Sequence, residues 1–291
     1  MDCVVGERIG LIAGGGRFPI AVAEKLVELG HSVYCLGIKN HYDSSLPRIC
    51  TEFQEIGVAK IGRQIRFCRR HEVRRATMAG KIFKDKLLYG TIGWVAHLPD
   101  WRCMREFYPH FLTRTKDCRD DSLMTTMVEA YAADGILFAP ATDFAPELLV
   151  KSGTLCGRLS HKESLDVHFG WRMAKEMGRL DVGQSVVVKG QAVIAVEAVE
   201  GTDACIRRAG EICKHGGFVV VKVAKPQQDM RFDVPTVGMG TMQTMAQSGG
   251  RVLAVEADKT IFIDQDATLQ FARKHGITIV ALTAEEARVA A

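Results

Sequence analysis

The sequence predicts an α/β protein, with a parallel sheet in its first half and a distinct α/β domain in its second half. Two observations carry this prediction. Residues 9–38 show an apolar strand pattern, a glycine-rich loop, an amphipathic helix pattern and a second strand pattern, which is the order of a βαβ unit. Proline and glycine then interrupt the regular patterns between residues 140 and 160, where a domain boundary is expected.

Further elements extend the first domain, which we place at residues 1–150. The strand over residues 9–13 precedes a helix with Pro19 in its first turn and Gly30 at its end, positions that suit these two residues. The remaining patterns of this half predict a strand at 33–38, a helix near 61–71, a strand at 76–79, a helix near 121–133 and a closing strand at 136–139.

The second domain, residues 151–291, opens with a helix-start signal. Ser160 and Glu163 have the spacing of a capping box, and the helix pattern ends near Gly178. Residues 193–198 and 252–257 are nearly identical, but so short a match does not establish a repeat. The other elements predicted here are strands near 185–189, 192–199 and 217–224 and helices near 203–214 and 238–248.

The composition is that of an ordinary globular protein. Of the 291 residues 47% are apolar and 25% charged, and the net charge of +4 suits anionic ligands without demanding nucleic acid. No apolar run reaches bilayer-spanning length, and the N-terminus lacks signal-peptide features. The nine cysteines form no Cys-x-x-Cys pair, so we expect reduced thiols in a cytoplasmic protein.

The first candidate site is the loop Gly14, Gly15 and Gly16, between the first strand and the first helix. Such loops bring backbone amides against phosphates, although a simple tight turn explains the glycines nearly as well. Pro19 occupies the place of the third glycine in a dinucleotide fingerprint, and Lys39 stands near the end of the second strand, where an NAD site carries an acid. These residues argue against a nicotinamide enzyme.

The second candidate is the polar segment 222–238, which lies between an apolar strand and a helix pattern. It contains Lys222, Lys225, Arg231 and Asp233, and gathered cations and carboxylates suit a phosphate or metal site. The neighbours of Asp233 are apolar, so in an extended backbone its side chain points away from theirs. A turn carboxylate before a proline is the alternative.

Three further features have a structural and a functional interpretation. Thr202 and Asp203 begin a helix, where they would cap it or hold a phosphate. Lys81, Lys84 and Lys86 follow a strand end, the usual place of ligand sites in α/β sheets. Asp120 and Asp121 precede a helix, where they would bind Mg²⁺ or offset the helix dipole.

A basic patch lies on and after the helix near 61–71. It has no interleaved aromatic residues, so we expect solvated side chains or contact with anionic lipid headgroups rather than nucleic acid. Its members are Arg66, Arg69, Arg70, Arg74 and Arg75.

Four motifs, at residues 10–19, 178–184, 200–203 and 225–238, occur here in one order. Together they resemble the LpxI family of UDP-2,3-diacylglucosamine pyrophosphatases. The resemblance runs from about residue 9 to the C-terminus. It implies a Rossmann-like N-terminal domain, a C-terminal α/β domain that encloses the substrate, and a homodimer.

The resemblance also implies a reaction. Family members hydrolyse UDP-2,3-diacylglucosamine in lipid A biosynthesis, by water attack at the α-phosphorus, and release UMP and 2,3-diacylglucosamine 1-phosphate. It implies Mg²⁺, with Mn²⁺ as the alternative, a lipid-linked substrate, and peripheral contact with the cytoplasmic face of the inner membrane. A non-catalytic nucleotide-sugar sensor is the competing hypothesis.

In the predicted site Asp233 corresponds to the essential aspartate of the family, as metal ligand or general base, and Asp203 is a second metal ligand. Lys81 stands where some relatives carry an asparagine. The predicted substrate-binding residues are Gly14, Gly15, Gly16, Lys81, Gln184, Thr202, Asp203, Lys222, Lys225, Arg231 and Thr236.

Overall fold

The computed structural model describes residues 6–81, 97–111 and 120–289. The chain divides into two compact units. A segment of four residues from the second half of the sequence, Asp229–Phe232, belongs to the first unit. Unit 1 comprises Met1–Pro146 and Asp229–Phe232, and unit 2 comprises Glu147–Gln228 and Asp233–Ala291. The domain boundary between residues 150 and 151 stays a prediction from the sequence.

The first unit is built on a five-stranded, all-parallel sheet in the order β3-β2-β1-β4-β5. This is the order of the first five strands in the classic Rossmann sheet, so the predicted parallel α/β architecture is confirmed. Its strands are β1 (Arg8–Ala13), β2 (Ser32–Ile38), β3 (Glu52–Ile56), β4 (Arg75–Ala79) and β5 (Leu137–Phe138).

Helices cover this sheet. In the first helix Ile20, Ala23 and Leu26 are buried, which is the apolar stripe that the sequence shows, and Pro19 lies in the first turn. The core on one side of the sheet includes the fully buried Tyr131, whose hydroxyl donates to Gln64 Oε1 at 2.6 Å. The helices are α1 (Phe18–Glu28), α2 (Leu46–Ile49), α3 (Ile61–Arg70), α4 (Trp101–Phe111), α5 (Asp120–Ala132) and α6 (Ala141–Phe144).

The second unit contains a mixed six-stranded sheet in the order β6-β13-β11-β9-β7-β8, with β13, β11 and β9 parallel. A two-stranded parallel sheet joins β10 to β12. The distinct C-terminal α/β domain is thereby confirmed as a fold class. Its strands are β6 (Gly153–Cys156), β7 (Ser185–Lys189), β8 (Ala192–Val196), β9 (Phe218–Lys222), β10 (Thr236–Val237), β11 (Gly250–Glu256), β12 (Ile261–Phe262) and β13 (Thr278–Leu282).

The long helix of this unit begins as predicted. The Ser160 hydroxyl accepts from the amide of Glu163, and the Glu163 carboxylate accepts from the amide of Ser160. This helix and its neighbours cover two apolar clusters, one on each face of the valine-rich strands. The helices of the unit are α7 (His161–Arg179), α8 (Thr202–Ile212), α9 (Met239–Ser248), α10 (Gln265–Lys274) and α11 (Glu286–Val289).

Some local expectations need correction. Strand β5 has only two residues, and β8 ends at Val196 rather than at 199. Several elements had no counterpart in the predicted pattern, namely strands β3, β6 and β10, helices α2, α4 and α6, and every element after residue 260. None of the described helices is both long enough and apolar enough to cross a bilayer.

Candidate active site

The carboxyl end of β9 and the adjoining end of β7 form a polar edge of the second sheet. Lys222 is the last residue of β9 and pairs in register with Ser185, the first residue of the antiparallel β7. Glu197 directly follows β8, whose last residue pairs with Val186. Sheet register alone therefore brings a lysine, a serine and a glutamate to one edge, although they are distant in sequence.

Three predicted substrate-binding residues meet at this edge. The Lys222 ammonium donates to Thr202 Oγ1 at 3.0 Å and to the carbonyl oxygen of Thr236 at 3.2 Å. Only 6% of Lys222 is exposed. Thr202 opens α8, but the residue that caps this helix is Gly201, and no side chain caps it. The expected capping role of Thr202 or Asp203 is therefore wrong, and the Thr202 hydroxyl is engaged by the polar edge instead.

Glu197 belongs to the same cluster, and the sequence patterns did not single it out. Thr202 Oγ1 donates to Glu197 Oε1 at 2.9 Å, and Glu197 is only 6% exposed. Its Oε2 is buried, with no hydrogen-bond partner among the described residues. One signal was available, because Glu197 and Glu256 occupy the same position, the last but one, in the nearly identical segments 193–198 and 252–257.

Glu256 performs a related task at the neighbouring strand end. Its Oε2 accepts from Lys175 Nζ at 2.6 Å and from the amide of Ala224 at 2.9 Å, and its Oε1 lies 3.1 Å from Lys259 Nζ. Burial lowers the pKa of Lys175, and the contact with Glu256 opposes that shift. This buried carboxylate therefore fixes the backbone at the start of the polar segment.

The next residues of that segment are also held by side chains. Lys225 Nζ donates to Asp181 Oδ1 at 2.7 Å, and its amide donates to Gln228 Oε1 at 2.8 Å. Gln228 in turn approaches Gln184, with 3.4 Å between Nε2 and Oε1. The predicted residues Gln184 and Lys225 are thus linked through Gln228, and the Lys225 cation is already paired with a carboxylate.

Arg231 lies in the segment Asp229–Phe232, which belongs to the first unit. Its guanidinium forms a close pair with Asp229, with Nη2 2.5 Å from Oδ2 and Nε 2.9 Å from Oδ1. These hydrogen bonds hold the pKa of Asp229 below its ordinary value. The aromatic ring of Phe232 packs against the apolar cluster of this unit. Arg231 is therefore oriented by its own neighbour.

Asp233 and Asp203, the predicted metal ligands, are both half-buried. Within the described residues neither side chain takes part in a hydrogen bond or an ion pair, and no group of three or more His, Cys, Asp or Glu side chains could hold a metal ion. Mg²⁺ is commonly held by one or two carboxylates together with water and substrate phosphates. The two aspartates fit that donor chemistry.

The glycine loop has a different role from the one expected. The amide of Gly14 donates to the carbonyl of Ala79 at 2.9 Å, and the amide of Gly15 donates to the carbonyl of Lys81 at 2.8 Å. These two amides are therefore used in backbone pairing and do not face a phosphate. A Cβ on Gly14 would lie 2.8 Å from the Lys81 carbonyl oxygen. The close approach to Lys81 explains Gly14, and amide donation to a phosphate stays a prediction for Gly16, which is exposed at φ +96°.

The remaining candidates divide into placed and unplaced residues. The exposed Lys81 closes the glycine turn by pairing with Gly15. Lys84, Lys86 and the side chains of Asp120 and Asp121 lie outside the described part of the chain.

The basic patch is smaller than expected. Arg75 lies in β4, donates to Glu7 at 3.0 Å and stacks on the Phe144 ring. Arg69 pairs with Asp134 at 3.3 Å. Arg66, Arg70 and Arg74 are exposed. Arg75 is therefore a structural residue of the sheet and not part of a solvated face.

A Rossmann-type parallel unit followed by a mixed α/β unit with a Lys-Thr-Glu cluster at its strand ends defines a two-domain α/β protein with a polar site in its second unit. The LpxI N-terminal domain model matches residues 8–148, and the LpxI C-terminal domain model matches residues 151–280. The chain belongs to the LpxI family.

An individual relative agrees with this assignment. The UDP-2,3-diacylglucosamine pyrophosphatase LpxI of Caulobacter vibrioides is 27% identical over 289 residues, which cover 96% of this chain and 99% of the relative. Among solved structures, a UDP-glucose-4-epimerase from Stenotrophomonas maltophila with bound NAD and formylated UDP-arabinopyranose is 13% identical. The matched part covers 44% of this chain and 34% of the epimerase chain, with a TM-score of 0.27.

Proposed function

We propose that this protein hydrolyses the pyrophosphate bond of UDP-2,3-diacylglucosamine in lipid A biosynthesis. The observation that carries the proposal is the alignment of 96% of this chain with a relative named for that activity. The site geometry is compatible with it, because a buried lysine and hydroxyl groups gather at the strand ends of the second unit. Ligand sites of α/β sheets commonly lie at strand ends.

The reaction requires charge neutralisation and a positioned water molecule. Water attacks the α-phosphorus, the bond from that phosphorus to the bridging oxygen breaks, and the bridging oxygen leaves with the β-phosphate. The products are UMP and 2,3-diacylglucosamine 1-phosphate. Lys222, Lys225 and Arg231 would stabilise the phosphate charges by charge-assisted hydrogen bonds.

Asp233 is the proposed catalytic residue. Its half-buried carboxylate makes no hydrogen bond within the described residues, so it is available to orient water, accept its proton or bind a cation. Asp233 and Asp203 would hold Mg²⁺ or Mn²⁺, and a bound ion would neutralise phosphate charge. Gln184, Thr202, Thr236 and Gly16 are the proposed polar contacts to the substrate.

The proposal is tested by incubating the protein with UDP-2,3-diacylglucosamine in ¹⁸O-labelled water, with Mg²⁺, with Mn²⁺ and without added metal. We expect UMP to be released and to carry the label. A label in the sugar phosphate would mean attack at the β-phosphorus and would contradict the mechanism. Substrate binding without any UMP under each metal would favour the nucleotide-sugar sensor.

Asp233→Ala should abolish UMP release while folding stays intact. Loss of one electrostatic transition-state interaction costs roughly 3–4 kcal/mol, a rate decrease of about 10²–10³. Asp233→Asn keeps the shape of the side chain and removes its charge, so its rate of UMP release should fall by a similar factor. Asp266→Asn, at an exposed position on α10, is the matched control. Wild-type turnover by Asp233→Ala would exclude the assignment.

We further propose a cytoplasmic protein that contacts the inner membrane peripherally, where a diacylated substrate resides, and that forms a homodimer. The exposed apolar side chains Trp101, Met104 and Tyr108 of α4 support a membrane contact. Light scattering coupled to gel filtration tests the dimer, since a monomeric mass would contradict it.

A further inference from the structure

The hydrogen bonds at the polar edge have a direction that the chemistry of the three side chains fixes. A lysine ammonium only donates, so Thr202 Oγ1 accepts from Lys222 at 3.0 Å. The single hydroxyl proton of Thr202 is then available to Glu197, whose Oε1 lies 2.9 Å away. The chain therefore runs from ammonium to hydroxyl to carboxylate, and each member determines the orientation of the next.

The position of Glu197 is fixed by its backbone. Its amide donates to the carbonyl of Ser185 at 2.9 Å. A Cβ added to Gly183 would lie 2.0 Å from the Glu197 carbonyl oxygen, so the two segments touch at a place where only glycine fits. The turn before β7 and the turn after β8 thus lock the glutamate in place.

The burial of Glu197 requires a compensating group. The residue is 6% exposed, and within the described residues its Oε1 accepts from Thr202 while its buried Oε2 has no hydrogen-bond partner. A buried carboxylate with so few hydrogen bonds is unfavourable unless a nearby cation offsets it. Lys222, which is also 6% exposed, supplies that charge through the shared threonine.

The same lysine reaches the segment that carries the proposed catalytic aspartate. Lys222 Nζ donates to the carbonyl oxygen of Thr236 at 3.2 Å, and Thr236 follows Asp233 by three residues. The Thr236 hydroxyl donates to the carbonyl of Val234 at 3.0 Å, which adds a second hydrogen bond within this segment. A displaced ammonium would therefore remove one hydrogen bond from the backbone that follows Asp233.

We infer that Glu197 is a positioning residue of the active site, which acts through Thr202 to hold the Lys222 ammonium against the segment Asp233–Gly238. The inference rests on the proposed function, because it assigns Lys222 to the site that neutralises the diphosphate. Glu197 itself contacts no substrate. It acts only through the orientation of the threonine and the lysine.

The test is a double-mutant cycle on UMP release from UDP-2,3-diacylglucosamine, using the full-length protein. Glu197→Gln keeps an acceptor for Thr202 and removes the charge, and Thr202→Val removes the hydroxyl at constant shape. We expect kcat to fall roughly ten- to a hundredfold in each, as for the loss of a hydrogen bond to a charged group, with a smaller change in KM. Thr202→Ser should restore most of the activity.

The decisive comparison is the double variant. If Glu197 acts through Thr202, then Glu197→Gln should cause little further loss in the Thr202→Val background, because coupled residues are not additive. Glu211→Gln, an exposed position on the same helix, is the matched control and should leave kcat unchanged. Circular dichroism and thermal unfolding of every variant separate loss of positioning from loss of folding.

Two outcomes would overturn the inference while the proposed function stands. One is a wild-type kcat in folded Glu197→Gln, and the other is full additivity in the cycle. If the wild-type protein releases no UMP under any metal, the proposed function is wrong, and the failure then lies there and not with Glu197.

Discussion

Buried charged side chains distinguish the second unit at the scale of single residues. Glu197, Lys222 and Glu256 are each less than a tenth exposed, and all three lie at or just beyond a strand end. Such groups are retained only with partners, and here the partners are Thr202 for the first two and Lys175 for the third. Burial of these charged side chains is unfavourable for folding, and such unfavourable burial is common at active sites.

The ion pair of Asp229 and Arg231 predicts a pH dependence of stability. The guanidinium of Arg231 holds the pKa of Asp229 below its ordinary value of 3.8. A lowered folded-state pKa means that the stabilisation is fully present above the unfolded value and is lost as the pH falls through the folded value. The free energy of unfolding of the wild type should therefore exceed that of Asp229→Asn above about pH 4, and the difference should shrink in more acidic buffer.

Urea unfolding of both proteins between about pH 2.5 and pH 6 measures this difference. In the Arg231→Gln background only the backbone amide of residue 231 still donates to the carboxylate, so Asp229→Asn should give a difference that varies much less with pH. A wild-type advantage that stays constant to the acid end would show that the pair does not shift the titration.

At the scale of elements, close backbone approach decides where glycine is required. A Cβ on Gly183 would lie 2.0 Å from the carbonyl oxygen of Glu197. Gly183→Ala should therefore push the two turns apart and lower the free energy of unfolding by about 1–3 kcal/mol, the usual cost of overpacking. Thermal unfolding measures the change, and kcat should fall with it because Glu197 moves.

Gly240 provides the matched control. It lies in α9, and a Cβ there would meet nothing within 4 Å. Gly240→Ala should be neutral or stabilise the protein by roughly 0.5–1 kcal/mol through helix propensity. If Gly183→Ala were as stable as Gly240→Ala, the contact between the two turns would be looser than the structure shows.

Periodicity predicted the elements that bury a continuous apolar face. The capping box at Ser160 and the strands ending at Lys189 and Lys222 lie close to where the patterns placed them. Strand β3 was not predicted because it is an edge strand with mostly half-exposed side chains, so its sequence has no apolar run. Helix α4 was not predicted because much of its apolar surface faces outward rather than toward a core.

At the scale of the whole molecule, the exposed apolar face of α4 predicts binding to anionic membranes. Trp101, Met104 and Tyr108 are 76%, 46% and 51% exposed, and their spacing places them on one side of the helix. Arg66 and Arg70 of α3, the helix packed against α4, are exposed as well. We expect the protein to sediment with vesicles of anionic phospholipid, less with zwitterionic vesicles, and less at high salt.

Trp101→Ser should weaken this binding by about thirtyfold, since burial of a large aromatic side chain contributes roughly 2 kcal/mol. Ile212→Ser removes an exposed apolar side chain from the other unit and should bind as the wild type does. Equal binding by Trp101→Ser and the wild type would exclude this helix as the membrane contact. A change in oligomeric mass instead would identify it as a contact between copies.

The sequence by itself determined the α/β class, the parallel first sheet, the strands and helices that bury a continuous apolar face, and the segments that supply the candidate site. These follow from local patterns of apolar residues, caps and turns. Only the tertiary structure decided which polar groups are available at those segments. It assigned the amides of Gly14 and Gly15 to backbone pairing with β4 and its end, and it joined Glu197 to Lys222 through Thr202. The reason is that sheet register, which acts between residues far apart in the chain, chooses the partner of each donor and acceptor.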